Sequence, residues 1–250
     1  MGSCSPRSNN DRGNDVTDLS NKTAIVTGAV GNLGRAVANA FGAAGAKLVL
    51  IDRSQDRLEQ AFGPGGDHLL CGGIDLTAED SVQGMVASAL ERFGRIDALV
   101  NTVGGFRGGK TVDEEELSTW DMMMTVNVRT TLLTCRAVVP AMLEQGGGSI
   151  VNVSAGAALS APTGLAAYSA SKAAVLRLTE SLSKETKARG VRVNAILPGT
   201  IDTPQNREVM PDADPSKWVK PEEIADVIAF LASDAARVVT GVALPVSGRG

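Results

Sequence analysis

The sequence predicts an α/β protein: a single doubly wound domain in which a parallel sheet carries helices on both faces. Three observations predict it. Short runs rich in aliphatic and β-branched residues recur along the chain, segments of helical periodicity separate them, and glycine or polar residues mark the joins. Strands apolar throughout, rather than alternating, are buried on both faces, and intervening helices supply the crossovers that a parallel sheet needs.

In chain order, Thr23–Thr27 (TAIVT) is the first strand, followed by a glycine turn and a helix with Leu33, Val37, Ala40 and Phe41 on one face. Lys47–Ile51 is the second strand and a polar helix starts at Ser54. Leu69–Ile74 is the third strand. Glu79–Phe93 is a helix whose apolar face holds Val82, Val86, Ala89 and Leu90. Ile96–Val100 is the fourth strand, and one long helix is expected from about Glu115 to Leu143. Ser149–Val153 is the fifth strand, Tyr168–Arg189 a helix, and Val191–Leu197 the sixth strand. Pro221 opens a helix at its first turn, where a missing N–H costs nothing. Val242–Val246 is a last short strand.

The 250 residues suit one large domain, and no linker or solenoid repeat divides them. Residues 1–18, rich in Ser, Asn, Asp and Gly, are predicted to be a disordered tail, leaving 19–250 as the domain. The tail has no apolar signal core. Lys plus Arg total 24 against 28 for Asp plus Glu, a formal net charge of −4. No basic stripe interleaved with aromatics is present, which argues against nucleic-acid binding. No apolar run reaches the roughly 20 residues a membrane helix needs. Cys4, Cys71 and Cys135 are odd in number and widely spaced, a pattern that fits neither a disulfide frame nor zinc but a reducing, cytoplasmic compartment. His68, the lone histidine, reads as structural.

The chemistry-bearing motifs fall at strand carboxyl ends or on the helix that follows, where ligands of doubly wound sheets bind. The first strand runs into Gly28-Ala29-Val30-Gly31-Asn32-Leu33-Gly34. Such a turn lets backbone approach a pyrophosphate at a helix N-terminus, although a glycine cluster by itself is equally a bare turn. Asp52 strengthens the dinucleotide reading. It ends the second strand 24 positions after Gly28, where a carboxylate accepts the adenosine ribose hydroxyls and repels a 2′-phosphate. NAD is therefore favoured over NADP. Arg53 counts against that preference, and Asp52 has an alternative as a cap on the helix near Ser54. Asp75-Leu76 either caps the next helix or binds adenine. Asn101-Thr102-Val103-Gly104 ends the fourth strand beside the crevice.

Tyr168 and Lys172 lie one turn apart on one helix face. A phenol titrates near pKa ~10, and a nearby ammonium favours its ionised form, making Tyr168 a candidate acid/base. Ser154, directly after the fifth strand, is placed to hold a substrate oxygen, or is an ordinary strand-end serine. Asn127, a polar residue in an apolar helical stretch, bonds either a proton-relaying water or its own surroundings. Arg107 and Arg207, near the expected crevice, raise the possibility of an anionic substrate, against the plainer reading of solvated surface arginines.

Together these residues resemble the short-chain dehydrogenase/reductase family, from about Leu19 to the C-terminus. The family's glycine motif looks like Thr27 to Gly34, with Asn32 in place of the middle glycine, and its Asn-Asn-Ala-Gly segment looks like Asn101 to Gly104. Its catalytic Asn, Ser, Tyr and Lys match Asn127, Ser154, Tyr168 and Lys172. Its Pro-Gly segment beside the nicotinamide matches Pro198-Gly199, followed by Ile201 and by Thr203 at the carboxamide. The resemblance implies a Rossmann-type sheet of seven parallel strands. It implies hydride transfer between a nicotinamide and a ketone or secondary alcohol, with Tyr168 as acid/base. Lys172 would hold the nicotinamide ribose and lower the Tyr168 pKa. It implies no metal, and a homotetramer or homodimer. A non-catalytic dinucleotide-binding sensor or scaffold and an epimerase-like relative are the alternatives.

Overall fold

Each apolar run becomes a strand of one parallel sheet in the computed structural model, which describes residues 17–248. The tail expected over residues 1–18 lies, through residue 16, outside the described residues, as does Cys4. The order is β1 (Thr23–Thr27), α1 (Asn32–Ala43), β2 (Lys47–Ile51), α2 (Gln55–Phe62), β3 (Leu69–Cys71), α3 (Glu79–Phe93) and β4 (Ala98–Asn101). Then come α4 (Leu117–Met123), a π turn (Met124–Arg129), α5 (Thr130–Glu144), β5 (Gly148–Val153), α6 (Ala166–Thr186) and β6 (Val191–Pro198). The chain ends through α7 (Pro204–Val209), α8 (Pro221–Ala232) and β7 (Ala243–Val246).

The strands lie in the order β3-β2-β1-β4-β5-β6-β7. The chain walks outward from β1 to β3, returns to place β4 on the other side of β1, and walks outward again. Strand order therefore reverses between β1 and β4, which opens a crevice at their carboxyl ends. Thr27 and Thr102 fasten those ends together: Thr102 N–H donates to Thr27 Oγ1 at 3.1 Å, and Thr102 Oγ1 donates to the Thr27 carbonyl.

The period-2 alternation of side chains divides the core into two layers. Ala24 and Val26 of β1 pack with Val37 and Phe41 of α1 and with Ile224 and Ile228 of α8. Ile25, between them, points the other way, into a cluster with Val82 and Val86 of α3 and Val138 and Met142 of α5. His68 accepts from Leu48 N–H at 3.3 Å, a structural contact as expected.

Several boundaries shift by a residue or two from the sequence-based expectation, and three departures have a local cause. The third strand stops at Cys71 rather than Ile74, because Gly73 turns with φ +74° and Gly72 lies against Gln55 so closely that a Cβ would collide. The long helix is not uniform: its ladder widens into the π turn around Asn127, a local defect common at functional sites. The helix expected to reach Arg189 passes into a 3₁₀ turn at Lys187–Arg189 and ends at Gly190, φ +81°. The short helix α7, capped by Thr203 with Pro204 after it, was not anticipated.

Candidate active site

The glycine turn after β1 is shaped by close approach. Gly28 sits at φ +62°, and a Cβ there would come 2.9 Å from Val103 Cγ2. A Cβ on Gly34 would collide with the Gly28 carbonyl oxygen, so α1 packs hard against the turn. Gly31 is the N-cap of α1 and brings no side-chain cap, and the first turn holds no acidic residue. The leading N–H groups of a 12-residue helix are thus left for an external anion.

In front of this turn is a cavity of about 450 Å³. Gly28, Gly31, Asn32, Leu33 and Gly34 line one side. Asp52, Arg53, Leu76, Val103 and Gly104 line the rest of the predicted set. Arg57 also lines it, which sequence reasoning missed; its guanidinium is 4.0 Å from Asp52 Oδ1. Helix α2 is capped by Ser54, whose Oγ accepts from Arg57 N–H at 3.3 Å. Asp52 makes only a long contact from Ser54 N–H, 3.4 Å, so its carboxylate retains acceptor capacity toward the cavity.

Other predicted cofactor residues stand elsewhere. Asp75 does not line the cavity. It organises the turn before α3, Oδ1 accepting from Thr77 N–H at 2.8 Å and Thr77 Oγ1 at 2.7 Å, and these bonds hold its carboxyl below the usual range. The Asn101 side chain is buried, donating to Asn152 Oδ1 at 2.9 Å and accepting from Thr134 Oγ1 at 2.8 Å, so it joins β4 to β5 and α5. Pro198, Gly199, Ile201 and Thr203 follow one another at the carboxyl end of β6 and beyond, outside that cavity. Thr203 Oγ1 accepts from Asn206 N–H as the α7 cap. Asn32 Nδ2 donates to Gln205 Oε1 at 2.8 Å, linking the glycine turn to α7.

The four residues read as catalytic are brought together around α6. Lys172 is buried, and its Nζ donates to Val153 O at 3.1 Å. Burial pulls its ammonium down from 10.5 to about 8. Ser154 Oγ donates to the Lys172 carbonyl at 2.8 Å and keeps its lone pairs as acceptors. Asn127 is a satisfied buried amide: Oδ1 accepts from Gly105 N–H at 2.9 Å, and Nδ2 donates to Ser171 Oγ at 2.9 Å and Gly105 O at 3.1 Å. Gly104 is the spacer between them, since a Cβ there would lie 3.0 Å from both Asn127 Oδ1 and Lys172 Nζ. The Tyr168 hydroxyl has no hydrogen-bond partner among the described residues.

Lys172 was to lower the Tyr168 pKa together with an oxidised nicotinamide; in the chain by itself the phenol is pushed up by burial. The Lys172 ammonium lies 6.0 Å from the Tyr168 ring centroid and faces Val153 O, so desolvation dominates in the chain by itself. The arginines also read differently from an anion trap. Arg207 grips Asp202 through two bonds, 2.6 and 2.8 Å, and Arg107 NH1 donates to Phe106 O at 3.0 Å. Among the described residues no group of three His, Cys, Asp or Glu is placed to hold a metal, and no helix is long and apolar enough to cross a membrane.

A cradle of glycines, an uncapped helix N-terminus and a carboxylate at the end of β2 fit a dinucleotide, with an unpartnered phenol and an ammonium on α6 beyond them. The sequence profile of the family described as short chain dehydrogenase matches residues 22–214. The 2,5-dichloro-2,5-cyclohexadiene-1,4-diol dehydrogenase LinX of Sphingobium indicum is 36% identical over 242 residues, covering 92% of this chain and 96% of its own. The 2-(R)-hydroxypropyl-CoM dehydrogenase of Xanthobacter autotrophicus is 36% identical over 243 residues, covering 91% and 97%. Among solved structures, gox2181 is similar with a TM-score of 0.87 and 33% identity, over 93% of this chain and 96% of that one.

Proposed function

The chain belongs to the short-chain dehydrogenase family, and from that membership we propose that Tyr168 is the acid/base of its nicotinamide-dependent oxidation and reduction of alcohols and ketones. The observation that carries this is the free Tyr168 hydroxyl, held one turn from the buried Lys172 ammonium on α6. When bound, an oxidised nicotinamide supplies the hydride acceptor and a positive charge that favours a neighbouring phenolate. The chain's own residues do the rest. The N–H groups of α1 bind pyrophosphate, and Asp52 accepts the ribose hydroxyls. Tyr168 takes the proton from the substrate hydroxyl in oxidation and returns it in reduction. Ser154 turns its O–H from the Lys172 carbonyl, to which it donates in the chain by itself, to the substrate oxygen and orients it. Asn127 fixes the Gly105 backbone on which the site wall rests.

Asp52 supports NAD over NADP, because its carboxylate has acceptor capacity and α2 has its own cap in Ser54. We place the catalytic unit at residues 19–250, in a reducing cytoplasmic setting consistent with free Cys71 and Cys135. Two or four copies would pair through the long helical stretch that carries Asn127, where Leu117 and Leu132 are exposed, and through α6, which carries Tyr168. The decisive experiment is Tyr168→Phe. It is expected to leave NADH binding intact and to lower kcat by roughly 100-fold or more, a general acid's usual contribution. Full activity in that variant would refute the assignment.

A further inference from the structure

The loop after β4 reads Gly104-Gly105-Phe106-Arg107-Gly108-Gly109, one bulky apolar residue in a run of glycines. The glycines let the loop be clamped on both sides of that residue. Before it, Asn127 bonds the N–H and the carbonyl of Gly105. After it, Gly109 N–H donates to Gly164 O at 2.8 Å, and Gly108 lies so close to Leu165 that a Cβ would collide. Between these clamps the Phe106 ring meets Tyr168 edge-on, centroids 4.9 Å apart at 72°. Its remaining surface is open, 56% exposed, beside the Tyr168 ring.

An apolar ring held in the open by an anchored backbone gains by being covered, at roughly 25 cal/mol per Å². Two other loops at the carboxyl ends of the strands share this character. Leu159, after β5, and Met210, after α7, are exposed. Of the nearby arginines, Arg207 is paired with Asp202, and Arg107 donates one N–H to the Phe106 carbonyl.

We infer that Phe106 is a specificity-determining residue whose open face packs against an apolar ring, aryl or alicyclic, attached to the substrate's carbinol carbon. This rests on Tyr168 being the acid/base. An alcohol with such a ring covers Phe106 while its hydroxyl reaches Tyr168; a small aliphatic alcohol leaves the face wet.

The test compares 1-phenylethanol with 2-propanol as substrates of wild type, Phe106→Ala and Phe106→Leu, with NAD present throughout and NADH binding followed by fluorescence. Wild type is expected to prefer 1-phenylethanol. Phe106→Ala should lose about 10-fold in kcat/KM on 1-phenylethanol, mainly through KM, and change little on 2-propanol. Phe106→Leu should recover part of the loss, with NADH binding unaltered in both variants. Equal losses on the two alcohols, no loss on either, or a wild-type preference for 2-propanol would overturn the inference. Failure of the acid/base reading shows separately, as turnover retained by Tyr168→Phe.

Discussion

Asn127 and Gly105 are bonded in both directions, Gly105 N–H to Oδ1 at 2.9 Å and Nδ2 to the Gly105 carbonyl at 3.1 Å. One amide therefore satisfies both backbone groups of a loop residue and reaches Ser171 on α6 as well. Replacing it by alanine leaves the half-buried Gly105 N–H and carbonyl without their partner and takes from the Ser171 hydroxyl the bond it accepts, its own donation to the Tyr168 carbonyl remaining. Each orphaned group costs about 1–3 kcal/mol when water cannot reach it. Asn127→Ala is expected to lose roughly 2–4 kcal/mol, a fall in Tm of about 4–16 °C for a chain of this size. Thermal unfolding followed by circular dichroism measures it. A Tm within about 1 °C of wild type would mean that the clamp contributes nothing.

The buried Lys172 ammonium gives a pH dependence of defined sign. Its folded pKa is about 8 against 10.5 unfolded. Between those values the unfolded chain binds more protons than the folded one, so stability rises with pH across that window. Below pH 8 both forms are charged and the desolvation cost is fully present. Relieving it amounts to about 3 kcal/mol, at 1.36 kcal/mol per pKa unit. Tyr168, raised by burial, acts in the opposite sense only above its ordinary value of 10.0. Wild-type stability relative to Lys172→Met should therefore climb from pH 8 toward pH 10. Denaturant midpoints at several pH values decide it, and parallel curves for the two proteins would contradict the burial of a charged Lys172.

The sheet was largely legible because its signal is local. Short runs such as Ala24–Val26 between threonines, or Leu48–Ile51, each bounded by a turn and followed by a helical pattern, read as buried strands. The third strand overshot because Ile74 is apolar, while the break comes from a Gly73 conformation and a Gly72–Gln55 contact. The site divides in the same way. Tyr168 and Lys172 show themselves through helical spacing, and the glycine turn through its composition. The Phe106–Tyr168 ring contact and the Asn32–Gln205 bond join residues distant in sequence, so no periodicity reports them. The upward push of burial on the Tyr168 phenol in the chain by itself also escaped, because it depends on how much water the folded chain removes from it.

Cofactor choice turns on the balance of charge at the end of β2. Asp52 faces the cavity with Arg53 and Arg57 beside it, the latter 4.0 Å from its Oδ1. A carboxylate there accepts from a ribose diol and repels a 2′-phosphate, whereas two unopposed guanidinium groups would attract that phosphate. Asp52→Asn keeps the shape and removes the negative charge. Because Ser54 caps α2, the fold does not depend on the missing carboxylate. The ratio of kcat/KM with NAD to that with NADP is expected to exceed one in wild type and to fall by roughly 10- to 100-fold in the variant, or about 1.4–2.8 kcal/mol. Parallel assays with both cofactors on one alcohol measure it. An unchanged ratio would show that Asp52 does not read the ribose and that selectivity lies elsewhere along the cleft.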